Sequence, residues 1–201
     1  MIFKLDNMSP NQRYHLITQT VLPRPIAWIL TSNQESNFNL APFSYFAALS
    51  SQPALLVVSI GNKEKGLAKD TKANLLREKE CVIHIPSVNL AEAVNNSAAT
   101  LSYGDSEVSQ QGLSLTPFTE SLPRLSDAKI AMHCRLYDVH ALGDALHACY
   151  LEVLSIHVED ELVSENNGRV SIDSLELAPL SRLGGNNYGV LTDTISLKRP
   201  S

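Results

Sequence analysis

Cysteine is scarce in this chain, and its placement excludes more than its number does. Cys81, Cys134 and Cys149 are the only three among 201 residues, odd in count and never in CxxC spacing. They support neither a disulfide framework nor a zinc knuckle, and a reducing cytoplasm is the expected compartment. Positive charge is also short. Sixteen Lys and Arg against 21 Asp and Glu leave a net charge of −5, with no basic patch to meet nucleic acid. No uninterrupted apolar run approaches the ~20 residues that a membrane-spanning helix needs, and Met1 to Asp6 opens without a leader-like apolar segment. No membrane partner is expected. The glycine signatures of nucleotide sites are missing as well: there is no GxGxxG, and Gly61-Asn62-Lys63-Glu64-Lys65-Gly66 lacks the closing Gly-Lys-Ser/Thr of a P-loop.

What remains is a chain with 44% hydrophobic residues, enough to bury one core and read as one domain over residues 1–201. Ser9 and Pro10 predict an N-terminal helix through Ile17, with Ser9 as its cap and Pro10 at the first helical position. Ile26 to Thr31 is a short apolar strand, Asn33 to Asn37 a polar turn, and a return strand begins near Phe38. Pro42 cannot donate to a ladder, so the chain is expected to leave the sheet there and turn with free N–H groups nearby. Ala54 to Gly61 is almost wholly apolar and reads as a central strand buried on both faces.

Lys69 to Glu78 predicts a short helix capped by Asp70 or Thr71, and Cys81 to Ile85 another strand ending before Pro86. Asn89 to Ala99 is Ala-rich and helical in character, whereas Ala99 to Ser126, with two glycines and two prolines, reads as a long irregular surface segment that controls access to a site. Two long strands, Lys129 to Leu142 and Ala145 to Val158, flank Gly143-Asp144 as a hairpin; Ile130, Met132, Cys134 and Leu136 mark its core face. Hairpin-linked strands with few helices and no βαβ rhythm argue for an antiparallel barrel.

Two stretches carry chemistry. Asn39 to Phe46 brings free backbone donors beside the Ser44 hydroxyl and aromatic rings, a surface suited to a planar hydrogen-bonding ligand; the ordinary alternative is a β-corner with buried aromatics. Lys69-Asp70-Thr71 opens a helix, where unpaired N–H groups and the dipole favour a phosphate and Lys69 and Thr71 add charge and a hydroxyl; the ordinary alternative is a solvated cap. The other charges between Lys63 and Lys72 read as a solvated face. His133, Cys134, His140, His147 and Cys149 crowd one hairpin, but no ligand spacing recurs, so they read as structural and no metal site is assigned. Trp28 reads as core.

Four pieces then occur in order: Arg24-Pro25-Ile26-Ala27-Trp28, Asn39-Leu40-Ala41-Pro42-Phe43-Ser44-Tyr45-Phe46, Lys69-Asp70-Thr71 with Asn74, and Arg182-Leu183-Gly184-Gly185 with Tyr188. The set resembles the flavin reductase-like family of FMN-binding split barrels, to which flavoredoxins and ferric reductases belong, over roughly residues 20–190. The resemblance implies a mainly β Greek-key split barrel with a few short peripheral helices, a homodimer, and FMN near the dimer interface. Carried over residue by residue, Thr31, Ser32, Asn39 and Ala41 would line the flavin edge, Ser44 and Phe46 would lie beside the ring or ribityl chain, and Lys69, Thr71 and Asn74 would form the phosphate end. Ser59 and Gly61 would close a strand beside the same pocket, and Tyr188 would cover the flavin from the partner subunit. The chain departs from the family where Gly104-Asp105-Ser106-Glu107-Val108 lacks the aromatic of a frequent Glu-Phe pair, and where His84 stands for a frequent Asn.

The implied activity is an oxidoreductase that passes electrons from NAD(P)H through FMN to free flavin, a ferric chelate or a partner protein. The cofactor carries that chemistry, so no catalytic side chain is nominated. The alternatives are a non-enzymatic FMN-binding electron carrier or redox sensor, and a flavin-free barrel.

Overall fold

The computed structural model describes residues 1–34, 37–63 and 66–200; Glu35 and Ser36 of the expected turn, and Glu64 and Lys65 of the charged run, lie outside the described residues. The first helix, α1 (Pro10–Thr20), starts as its sequence demands: the Ser9 hydroxyl accepts from Gln12 N, and the Gln12 side chain accepts in return from Ser9 N. A two-residue strand β1 (Arg24–Pro25) follows, then β2 (Ala27–Ser32), β3 (Phe38–Phe43), β4 (Phe46–Ser51) and β5 (Ala54–Gly61). Next come α2 (Asp70–Glu78), β6 (Glu80–Ile85), α3 (Ala91–Asn96) and α4 (Glu107–Gln110). The strands β7 (Leu115–Pro117) and β8 (Pro123–Leu125) form a small hairpin, and β9 (Ile130–Ala141) and β10 (Leu146–Val158) the long one. The chain ends with the hairpin β11 (Val163–Asn166) and β12 (Arg169–Ile172), a short helix α5 (Ser174–Leu177), β13 (Leu180–Arg182) and β14 (Tyr188–Val190).

Seven strands pair antiparallel in the order β3-β2-β6-β9-β10-β5-β4. Only Ser44 and Tyr45 separate β3 from β4, yet those strands sit at opposite ends of this order. The sheet is therefore rolled on itself until β3 meets β5, which is the split barrel the sequence predicts. Its interior holds Ala27, Ile29, Phe43, Val58, Ile60, Ile83 and Leu151, with the three cysteines packed among them as small apolar groups and Leu75 of α2 over one end. A second core lies outside the wall: Trp28, Leu30, Leu40 and Val82 meet Val94, Val108, Leu122 and Leu125 from the connecting segments. β2 thus alternates between two cores and is buried on both faces.

Several expectations are corrected here. The strands buried on both faces are β2 and β6, whereas β5 lies next to the sheet edge and buries only Leu56, Val58 and Ile60 on one face. Pro42 does not end its strand; it pairs with Trp28 and β3 runs on to Phe43, because β3 is an edge strand where a missing donor costs little. The Asn89 to Ala99 helix is a 3-10 turn at Val88–Leu90 followed by α3, which stops at Asn96. The segment from Ala99 to Ser126 is not irregular throughout: α4 and the β7/β8 hairpin lie within it, too short to show periodicity. The Gly143 hairpin forms as expected, with Gly143 at φ 94°, and the Cys134 face turns inward. Gly184 makes room for α1: a side chain there would come within 3.2 Å of Gln19 Cα.

Candidate functional site

A cleft of about 480 Å3, part of it open to solvent, lies between β3 and the start of α2. The part of it that the protein encloses is small, about 80 Å3. Asn39, Ala41 and Pro42 form one wall, Lys69, Asp70 and Thr71 the floor, and Lys63, Glu107 and residues Ser97 to Leu101 the remaining sides. The residue that precedes α2 explains its chemistry. Neither Asp70 nor Thr71 caps the helix, as expected from sequence; the N-cap is Lys69 in extended conformation, and its side chain makes no cap bond. The first intrahelical bond is Ala73 N to Lys69 O, so the preceding N–H groups have no partner within the helix. An open helix start beside two lysines is an anion site in waiting.

The cationic groups are held rather than floating. Lys63 Nζ pairs with Asp70 at 2.8 Å and Lys69 Nζ stands 5.4 Å over the Phe43 ring. Burial, and then the neighbouring Lys63, push the Lys69 pKa down. Lys63, like the buried Lys72 that donates to Asn62 Oδ1, is not on a solvated face. Behind the cleft runs a buried amide and hydroxyl network. Asn39 Nδ2 donates to Thr31 Oγ1 at 3.2 Å and to Thr71 Oγ1 at 2.9 Å, and Asn74 Nδ2 donates to Thr31 Oγ1 and Asn33 Oδ1. Because Thr71 Oγ1 accepts from Asn39, its own proton is free to point at a ligand oxygen. This donor set fits the phosphate of FMN.

On the fourth side, α4 serves as a substitute neighbour for the exposed edge of β3. The Ser106 hydroxyl donates to Phe38 O, and Leu40 N donates to Glu107 Oε2 at 2.9 Å. Glu107 is buried, and that burial raises its pKa despite the backbone donors that oppose the rise.

Of the residues expected at the site, Asn39, Ala41, Lys69 and Thr71 line this cleft together. Thr31 and Asn74 are fully buried behind it as supports, and Ser32 Oγ turns to the backbone of Asn33. Ser44 and Phe46 line a separate hollow at the β3/β4 corner, with Ile17, Val21 and Pro23. Ser59 N is tied to that corner through Tyr45 O, and its hydroxyl is buried without a partner. Gly61 faces Leu146 at ordinary contact distance. Tyr188 lines no part of the cleft; Arg182 lies 4.8 Å over its ring and its hydroxyl donates to Asn95 Oδ1. Sequence reasoning missed Lys63, Glu107 and residues Ser97 to Leu101 as walls. Only Glu107 carried a signal, as the retained half of the Glu-Phe pair.

The barrel and its cleft place the chain in a class: the model of the flavin reductase like domain matches residues 19–173, and the chain belongs to that family. An uncharacterized protein of Halalkalibacterium halodurans is 35% identical to it over 98% of this chain and 95% of its own. Among solved structures it is similar to nitrilotriacetate monooxygenase component B from Bacillus cereus, with 30% identity, 98% of each chain covered and a TM-score of 0.89. It is equally similar to the 2-nitrobenzoate 2-nitroreductase NbaA of Pseudomonas fluorescens, with 30% identity, 100% of this chain and 97% of that one covered, and a TM-score of 0.89.

Proposed function

We propose that the chain binds FMN with its phosphate at the start of α2 and works as a homodimeric, cytoplasmic oxidoreductase, taking electrons from NAD(P)H and delivering them to free flavin, a ferric chelate or a partner protein. The observation that carries this is the uncapped N-terminus of α2, opening into the cleft beside Lys63, Lys69 and the Thr71 hydroxyl. Bound FMN supplies the redox chemistry, accepting a hydride and passing electrons on. The chain supplies position and electrostatics. Lys69, Thr71 and the first-turn N–H groups hold the phosphate, Asn39 fixes the Thr71 hydroxyl, Asn74 braces Thr31 behind it, and α4 ties the edge of β3. Ser44 and Phe46, which line the separate apolar hollow at the β3/β4 corner, would hold the ring if it reaches that corner. Family membership, and the redox names of both similar enzymes, support a flavin-related oxidoreductase.

Titration of the purified protein with FMN and with riboflavin tests the reading. A phosphate anchored by charge-assisted bonds makes FMN the tighter ligand by roughly 10- to 100-fold. Equal affinity for the two flavins removes the phosphate assignment. Turnover of NAD(P)H with FMN or a ferric chelate supports the enzyme, whereas reduction only by a second protein makes it a carrier.

A further inference from the structure

The β7/β8 hairpin lies on the barrel without being woven into it. β7 and β8 pair only with each other, and among the described residues no backbone hydrogen bond joins residues 115–125 to the seven-stranded sheet. Its grip is made of side chains. Leu122 and Leu125 pack into the outer core with Trp28, Leu30 and Val82, and a narrow crevice between Trp28, Leu90, Leu113 and Leu125 marks the seam. The polar and aromatic ties are few. Leu125 N donates to His84 Nε2 at 3.0 Å, Ser121 Oγ donates to Glu80 Oε2 at 2.6 Å, and the Phe118 ring meets the His157 ring edge-on at 6.3 Å. Each of them ends on a side chain of the sheet that can gain a proton.

The His84 tie works in one protonation state alone. Nδ1 donates to Trp28 O and Nε2 accepts from Leu125 N, so a second ring proton would set N–H against N–H. Burial, with Arg124 adding to it, lowers the His84 pKa from 6.5 to about 4. His157 has the same handicap: burial and then Arg124 lower its pKa, against the pull of Glu159 and Asp160, and its Nε2 is buried without a partner. Arg124 is itself part of the hairpin, its Nη1 tied to Leu125 O and Ser126 O. Lifting the hairpin therefore removes the opposing N–H, the covering side chains and the repelling guanidinium in one movement, and leaves His157 beside Glu159 and Asp160. A proton arriving at His133 is met by Glu80 3.5 Å away, with Arg135 opposite Glu80 on β9, so the Ser121 tie is not the one that acid breaks first. Closure is fully held above pH 6.5 and weakens as pH falls towards 4.

We propose that the β7/β8 hairpin is an acid-released flap: a proton on His84, joined by one on His157, lifts residues 115–125 off Trp28 while the seven-stranded sheet stays paired. The surface it uncovers is the apolar outer face of β2 and β6 at Trp28, Leu30 and Val82. His84, His157 and Arg124 line no part of the cleft, and the release does not depend on flavin.

Hydrogen exchange of the full chain, read by mass spectrometry as protection factors at pH 7.5 and pH 5, tests it, together with acrylamide quenching of Trp28, the only tryptophan. Protection of residues 115–125 is expected to fall at least about tenfold between the two, with β2, β6 and β9 unchanged, and Trp28 emission to become quenchable over the same range. His84→Asn keeps a donor and an acceptor without titrating, and is expected to abolish most of that fall. Arg124→Gln leaves both histidines in place but removes a repulsion that opening relieves, and is expected to make the fall smaller. Protection of residues 115–125 that holds at pH 5, or that falls together with the strands of the sheet, overturns the flap. So does a fall of equal size in the parent and both variants.

Discussion

Two buried polar centres in this molecule look alike in composition and differ in one respect: whether their donors are used up. At the knot around Arg24, Nη1 donates to Thr18 O and Val21 O, Nη2 to Leu183 O, and Nε to Ser44 Oγ, so the guanidinium fastens the end of α1, the C-terminal segment and the β3/β4 corner. His84 is similarly spent, its Nδ1 donating to Trp28 O and its Nε2 accepting from Leu125 N. At the cleft, by contrast, the first turn of α2 is uncapped, the Thr71 hydroxyl keeps a free proton, and Lys69 faces an aromatic ring rather than a carboxylate. A saturated centre holds the fold, while an unsaturated one is held open for a ligand. Both centres belong to the ordered set that marks the family, and only the accounting of donors separates them.

The largest effect should come from the saturated side. Arg24→Met leaves the carbonyls of Thr18, Val21 and Leu183 without their donor and should cost about 3–5 kcal/mol in urea unfolding. Molecules that remain folded should keep the ratio of FMN to riboflavin affinity within about threefold, since Arg24 shares no partner with Lys69 or Thr71. Loss of FMN with unchanged stability breaks the comparison. His84 comes next. Burial lowers its pKa from 6.5 to about 4, so the folded protein resists a proton that the unfolded chain accepts. Stability from this residue is complete above pH 6.5 and is lost as pH falls towards 4, by about 3 kcal/mol in all. His84→Asn keeps a donor and an acceptor but does not titrate, so the difference in unfolding free energy between parent and variant, read from urea curves, should change by about 2 kcal/mol from pH 7 to 4.5. A parallel pair of pH profiles sinks the assignment.

The antiparallel barrel and the long hairpin were legible because each rests on local signals: alternation along the strands and the Gly143-Asp144 turn, where Gly143 takes φ 94°. What was illegible depends on which neighbour covers a given face. The run Ala54 to Gly61 is more uniformly apolar than Ala27 to Ser32, yet β2 is buried on both faces and β5 is not, because α3, α4 and the β7/β8 hairpin lie over Trp28 and Leu30. Sequence spacing likewise gave no hint that Lys63 turns back to Asp70, or that α4 spends Ser106 and Glu107 on the edge of β3.

On the open side, Lys69→Ala and Thr71→Ala should each weaken FMN binding by ~1–3 kcal/mol. Riboflavin affinity should stay nearly unchanged in both, and so should the urea midpoint of Lys69→Ala, whereas Thr71→Ala also leaves Asn39 Nδ2 short of an acceptor and lowers stability. Equal losses for both flavins place these side chains away from the phosphate and dissolve the contrast.

Glu107 stands on the border of the two kinds of centre, and its effect should be the smallest and most telling. One oxygen is spent structurally on Leu40 N, while the side chain also faces the cleft where a dianionic phosphate is expected. Glu107→Gln preserves an acceptor for Leu40 N and removes a negative charge, so FMN should bind a few-fold more tightly, roughly 0.5–1 kcal/mol, with stability unharmed. The sign of the pH dependence follows from burial, which raises the Glu107 pKa. Above that raised pKa the parent carboxylate repels the phosphate and the variant has the advantage. Below it the parent is neutral and the advantage vanishes. Glu107→Ala separates the two roles, because it removes the charge and also leaves Leu40 N without its partner, so β3 loosens and FMN binds more weakly. Tighter binding in both variants would make Glu107 a mere charge in the cleft; weaker binding in both would make it purely a strut for β3.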